Sequence, residues 1–163
     1  LERSDFINIF GGVYEHSPWV AEAVYFKTDQ GINAASMAAL MRSVVDAASY
    51  EDKLKILRSH PDLAGRLSLA DLTQSSRSEQ SGAGLDRCTH EELEQFQRLN
   101  GIYVNKFGFP FIFAVRGFHR ADILDAFHIR VNNDCDEEFK TAIEQVHRIA
   151  RLRLETIADE YQD

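Results

Sequence analysis

Apolar residues recur at three- and four-residue steps along most of the 163-residue chain, the spacing of helices with one buried face. Phe6, Ile7 and Phe10 predict a short first helix over 4–10, with Ser4 as its N-cap and Gly11-Gly12 as its end. Ser17-Pro18 opens a second. The serine is placed to cap, and proline gives up an N–H that has no partner at the first helical position. Trp19, Val20, Ala23 and Val24 form its apolar face. After the loop Thr28-Asp29-Gln30-Gly31, Met37, Leu40, Met41, Val44 and Ala48 predict a long helix from about Asn33 to Ala48. Ser49 caps the next, whose apolar side is Leu54, Ile56 and Leu57 and whose end is enforced by Pro61. A residue before proline is pushed out of the α region, so His60 belongs at or just past that helix end.

Leu63 to Thr73, with Gly65 and the run Ser75-Ser76-Arg77-Ser78, is expected to be an irregular connector, and Glu79 onward begins a helix or a glycine-bearing turn. Thr89 with Glu92 is a capping box opening a helix to about Phe107, with the stripe Leu93, Phe96, Leu99, Tyr103 and Phe107 and a stop at Gly108. Phe109 to Val115 is the one β-like run, but Pro110 cannot donate to a ladder and no comparable second strand exists. It is expected to be a buried extended segment whose backbone groups could meet a ligand. Ile123, Phe127 and Val131 predict a helix over 120–131, and Asp134 with Glu137 opens the last helix, running to about Tyr161. The expected architecture is all-α, seven to nine helices in one compact domain over 1–163.

The last helix carries a charge in its apolar stripe. Phe139, Ile143, Val146 and Ala150 continue to Ile157, and the position that completes the rhythm is Arg153. At ~100° per residue Arg153 lies about 40° from Phe139 and Arg151 about 120° away. Arg151 is therefore expected in solvent and Arg153 towards the core or a cavity. A buried guanidinium needs a partner, either a structural acid or a carbonyl or carboxylate of a ligand.

Composition narrows the function classes. The chain is 44% hydrophobic and 27% charged, with a formal net charge of −8. That balance argues against a nucleic-acid footprint, which needs dense basic charge. Two cysteines, Cys88 and Cys135, have no metal-ligand spacing and are too few for a disulfide framework, which fits a reducing compartment. No stretch approaches the ~20 apolar residues of a membrane span. No basic n-region with an apolar run opens the chain, and Tyr161-Gln162-Asp163 is not a Ser-Lys-Leu address. A cytoplasmic, bacterial protein is the expectation, and Leu1 without methionine fits a trimmed chain or a piece of a longer polypeptide.

Candidate chemistry concentrates in His60-Pro61-Asp62-Leu63-Ala64-Gly65 and Ser78-Glu79-Gln80-Ser81-Gly82-Ala83-Gly84. Each residue also has a plain structural reading. His60 could bond a last helix carbonyl, Asp62 could cap a helix starting after Pro61, and Glu79 could close a capping box with Ser76. No third ligand makes a metal site of His60 and Asp62, and no Gly-x-Ser-x-Gly elbow supports a serine nucleophile. His16, His90, His119, His128 and His147 read as surface or capping histidines.

Taken together, the His60-to-Gly65 block, Glu79-Gln80-Ser81 with Ala83-Gly84-Leu85, the Leu99-Asn100 to Tyr103 to Phe107 helix end and Phe109-Pro110-Phe111 resemble the 2-oxo-4-hydroxy-4-carboxy-5-ureidoimidazoline (OHCU) decarboxylases of urate degradation. The resemblance implies an all-helical, cofactor-free, homodimeric enzyme that forms (S)-allantoin and CO2 from a small-molecule acid, without nucleic-acid or membrane partners. It matches the catalytic histidine to His60 and the essential glutamate to Glu79. Substrate contacts fall on Pro61, Gln80, Arg153 and the segment Phe111, Ile112 and Phe113, with Ser76 as a further candidate. The loop between Gly65 and Glu79 departs from the family pattern. His-Pro-Asp between two helices also resembles the J-domain of chaperone partners, but the preceding helix lacks a dense basic face, and the Glu79-Gln80 and Phe-Pro-Phe motifs have no part in that reading. A silent helical interaction domain would instead bury Arg153 in a structural ion pair.

Overall fold

The computed structural model describes residues 1–28, 33–63 and 74–161, the side chain of Gln74 excepted. Among them are eight α-helices and no strand: α1 Arg3–Phe10, α2 Trp19–Tyr25, α3 Ala34–Asp46, α4 Tyr50–Arg58, α5 Gln74–Gly82, α6 His90–Phe107, α7 Arg120–Arg130 and α8 Cys135–Glu160, with a 3-10 turn at Leu85–Arg87. The all-α reading holds.

The caps explain most of the boundaries. Asn33 and Ser49 accept from the backbone N–H groups of Ser36 and Asp52, and Thr89 with Glu92 forms the expected reciprocal box. Gly108 ends α6 at φ 79°, a left-handed conformation that side chains with a Cβ disfavour. At the start of α8, Asp134 accepts from the N–H of Glu137. Two caps differ from expectation. Ser4 lies inside α1, which Glu2 precedes, and Ser17 does not cap α2. The Ser17 hydroxyl donates instead to the carbonyl of Glu15, and α2 begins after Pro18. The serine-rich run 75–78 is helical, part of α5, so Ser76 lies inside the helix and not at the N-cap position that a Ser76–Glu79 box requires.

The chain divides into two contact units, 1–59 with 146–163, and 60–145. In the first, Val20, Val24, Met41, Val45, Ile56 and Leu57 are sealed from solvent, together with Val146, Ala150 and Leu154 of α8. Side chains such as Met41, Ile56 and Leu57 contribute ~1.5–3 kcal/mol each by leaving water. The core of the second unit is aromatic. Phe96, Tyr103, Phe111 and Phe127 are fully buried, and Phe111 stacks on Phe127 with centroids 3.9 Å apart at 10°.

Candidate functional site

The first unit's α4 ends at Ser59, whose N–H bonds to the Lys55 and Ile56 carbonyls, and the second unit begins at His60. The chain then turns at His60-Pro61-Asp62-Leu63. His60 and Leu63 are buried while Pro61 and Asp62 are half-buried. His60 thus lies just past the helix end, where the proline was expected to leave it. The segment is held from two helices. Gln80 Nε2 of α5 donates to the carbonyl of Asp62 at 3.4 Å, and Asn100 Nδ2 of α6 donates to the carbonyl of Leu63 at 3.3 Å. The helix that Asp62 was expected to cap, and Gly65 with it, lie outside the described residues.

Because α5 is helical from Gln74 to Gly82, Ser76 and Gln80 fall one turn apart and both are buried, with Glu79 beside them half-buried. Ala83 and Gly84 then close the helix, their N–H groups bonding to the Glu79 and Ser81 carbonyls. Gly84 has φ 80°, and a Cβ there would sit 3.1 Å from Arg120 Nη1, so glycine is favoured. An open groove of about 540 Å³ runs along α6, lined by Asp62 and by Gln97, Asn100, Ile102, Val104 and Asn105.

The segment 109–115 forms neither helix nor strand; Phe109, Phe111, Ile112, Ala114 and Val115 are buried, and Pro110 and Phe113 are half-buried. A polar cluster holds it. Arg130 Nη1 donates to the Ile112 carbonyl at 2.7 Å, and the guanidinium lies over the Phe111 ring at 4.3 Å. Glu138 accepts from Arg130 Nε at 2.8 Å, from the Tyr103 hydroxyl at 2.6 Å and from Asn133 at 3.0 Å. Burial, followed by the bond to Glu138 and its charge, holds the Tyr103 phenol far above its ordinary range, so it stays a donor. Ala114 N–H is taken by Gln145 Oε1 at 2.8 Å. The Ile112 carbonyl and Ala114 N–H, expected to be open to a ligand, are thus already engaged by side chains.

Arg153 belongs to the first unit. It is 6% exposed and pairs with Glu15, 1% exposed, at 2.7 Å. The same Nη1 donates to the carbonyls of Gly12 and Val13. Arg151 is exposed and pairs along the helix with Glu155, as the stripe predicted. One histidine departs from expectation. His147 of α8 is buried, its Nδ1 2.7 Å from the Tyr14 hydroxyl and its Nε2 2.9 Å from Asp46 Oδ1. At ~100° per residue His147 lies about 80° from Phe139, at the edge of the apolar stripe rather than in it, so periodicity did not mark it. Glu15, Asn100, Arg130 and Glu138 were missed as partners because helical periodicity reports which face is buried, not which buried polar groups meet.

No three His, Cys, Asp or Glu residues come together as a metal site among the described residues, and none of their helices is long and apolar enough to cross a membrane.

Comparison with known proteins converges on one family. The OHCU decarboxylase family model matches residues 1–155. The 2-oxo-4-hydroxy-4-carboxy-5-ureidoimidazoline decarboxylase of Haloferax volcanii is 40% identical over 155 residues, covering 94% of this chain and 89% of that protein. The crystal structure of an (S)-allantoin synthase superposes with a TM-score of 0.77 at 36% identity over 96% of this chain, which spans 50% of that one. An OHCU decarboxylase crystallised in the presence of (S)-allantoin gives a TM-score of 0.72 at 22% identity over 96% of this chain and 99% of its own, a likeness of fold.

Proposed function

The chain belongs to the OHCU decarboxylase family, and from that membership we propose that it converts 2-oxo-4-hydroxy-4-carboxy-5-ureidoimidazoline to (S)-allantoin and CO2 in urate degradation. The observation that carries the reading is the family match over 1–155.

The reaction breaks the bond between the ring carbon and its carboxylate, and CO2 leaves without the bonding pair. The substrate's conjugated ring accepts that pair, so the protein has to supply proton transfer and positioning. His60, whose type titrates near neutrality, takes the proton of the ring hydroxyl as the carbonyl forms or returns one to the carbon bearing the ureido group. Glu79 orients it or exchanges the proton with it. Gln80, Pro61, Ser76 and the 111–113 segment hold the ureido and ring carbonyls so that one face is protonated, which gives one enantiomer, and the family resemblance adds Arg153 as a substrate contact. Positioning of this kind supplies ~7–11 kcal/mol of barrier lowering in favourable cases. A homodimer in the cytoplasm completes the proposal, on family resemblance.

One observation favours a second reading. The buried Arg153–Glu15 pair is what a purely structural arginine would make. Turnover separates the two. Urate oxidase and the following hydrolase generate the unstable acid in place, and circular dichroism follows the handedness of the allantoin formed. The chain should yield (S)-allantoin faster than buffer. Racemic product at the buffer rate would leave only the structural reading.

A further inference from the structure

We propose that Asn100 is a positioning residue that aims His60 by holding the carbonyl of Leu63. The inference rests on the decarboxylase reading of His60 and adds a residue to it.

Asn100 sits in the buried stripe of α6 with Phe96, Leu99 and Tyr103, where a leucine would pack without any polar obligation. Its Nδ2 makes one bond, to the Leu63 carbonyl at 3.3 Å, while its Oδ1 is buried and accepts none among the described residues. An orphaned buried acceptor costs more than one long hydrogen bond returns, so global stability does not account for asparagine here. The contact it does make has a local consequence. Gln80 Nε2 holds the preceding carbonyl, that of Asp62, so two side-chain amides from two helices grip successive peptide groups. Leu63 anchors the same point through its buried side chain. Between this grip and His60 stands only Pro61, whose φ is locked by its ring. The His60 backbone is thereby held from its C-terminal side, and its ring direction is set by that hold.

The amide bonds are long for N–H···O contacts, so removing one should change the fold little and the aim of His60 much. The test is Asn100→Leu, with ring 15N and 1H shifts of His60 followed through a pH titration without substrate, the signals assigned by their loss in His60→Asn. The variant should shift the His60 titration or its tautomer signature. It should also lower kcat at least tenfold with KM within twofold, and keep a melting temperature no lower than wild type. Wild-type His60 shifts and wild-type kcat would overturn the proposal, as would a lowered kcat with wild-type His60 shifts. Should the leucine variant not fold, Asn100→Asp, isosteric but without the amide donor, is read the same way. If wild type forms no allantoin, the decarboxylase reading fails, and the substrate-free titration still decides whether Asn100 aims His60.

Discussion

Arg153 Nη1 lies 2.7 Å from Glu15 Oε2, and both side chains are buried. Taking two charges out of water costs several kcal/mol per ion, and close pairing offsets it only while both partners remain. The geometry suits a cation that must keep one place: Glu15 and the carbonyls of Gly12 and Val13 fix the guanidinium on the side of the 11–18 loop. Glu15→Gln should therefore destabilise the protein by about 3–5 kcal/mol, since the arginine stays charged and buried. Glu15→Gln with Arg153→Met should recover most of that loss. Urea denaturation of the two single variants and the double reads the cycle, and additive losses would show that the two side chains do not depend on each other.

Arg153→Met should lower turnover by about 100-fold or more if the guanidinium also meets substrate, the scale found when a charge-stabilising donor is removed from an active site. His60→Asn should lose at least about 100-fold, the usual contribution of a positioned acid or base. Both rates come from the coupled assay that makes the substrate in place. Wild-type turnover in either variant removes that residue from the site.

Helical periodicity decides how much of the fold and the site was legible in the sequence. It placed Arg153 in the core and Arg151 in solvent, while the Thr89–Glu92 box and Gly108 bounded α6 and Pro61 left His60 just past α4. The same signal misjudged 75–78, because four polar residues look like a loop until a helix sets Ser76 on its buried face and Ser75, Arg77 and Ser78 in solvent. It also misplaced His147, whose partners Tyr14 and Asp46 stand 133 and 101 residues away. Long-range polar pairing depends on the packed fold and leaves no local pattern.

The polar core of the second unit gives a separate stability prediction. Arg130→Met strips Glu138 of its cation while Tyr103 and Asn133 still donate to it, leaving a buried carboxylate without a countercharge. A loss of about 3–5 kcal/mol is expected in urea denaturation. Tyr103→Phe removes one donor and should cost less, about 1–3 kcal/mol. Because Arg130 also holds the Ile112 carbonyl, Arg130→Met should weaken substrate binding through the 111–113 segment more than Tyr103→Phe does. A KM unchanged in a folded Arg130→Met would detach that segment from the substrate.

The start of α6 predicts an acid-sensitive contribution to stability. Glu92 accepts from the Thr89 N–H at 3.0 Å and from Arg120 Nε at 2.9 Å, and its carboxyl is held below its ordinary value of 4.5, by the Thr89 backbone bond first and Arg120 second. A folded-state value below the unfolded one means that folding favours the ionised form. Its contribution is therefore fully present above about 4.5 and is lost as pH falls through the depressed value. Glu92→Gln keeps an oxygen for the Thr89 N–H but gives up the charge, so its stability should not carry this dependence. The difference in urea midpoint between wild type and Glu92→Gln should be constant from pH 7 to about 5 and shrink below it, where carboxylates protonate. Exposure of the pair to solvent keeps the effect small, so the pH at which the two curves converge is the informative quantity. A difference that persists unchanged well below the ordinary carboxylate range would mean that the amide and the carboxylate cap α6 by different contacts, and that charge has no part in it.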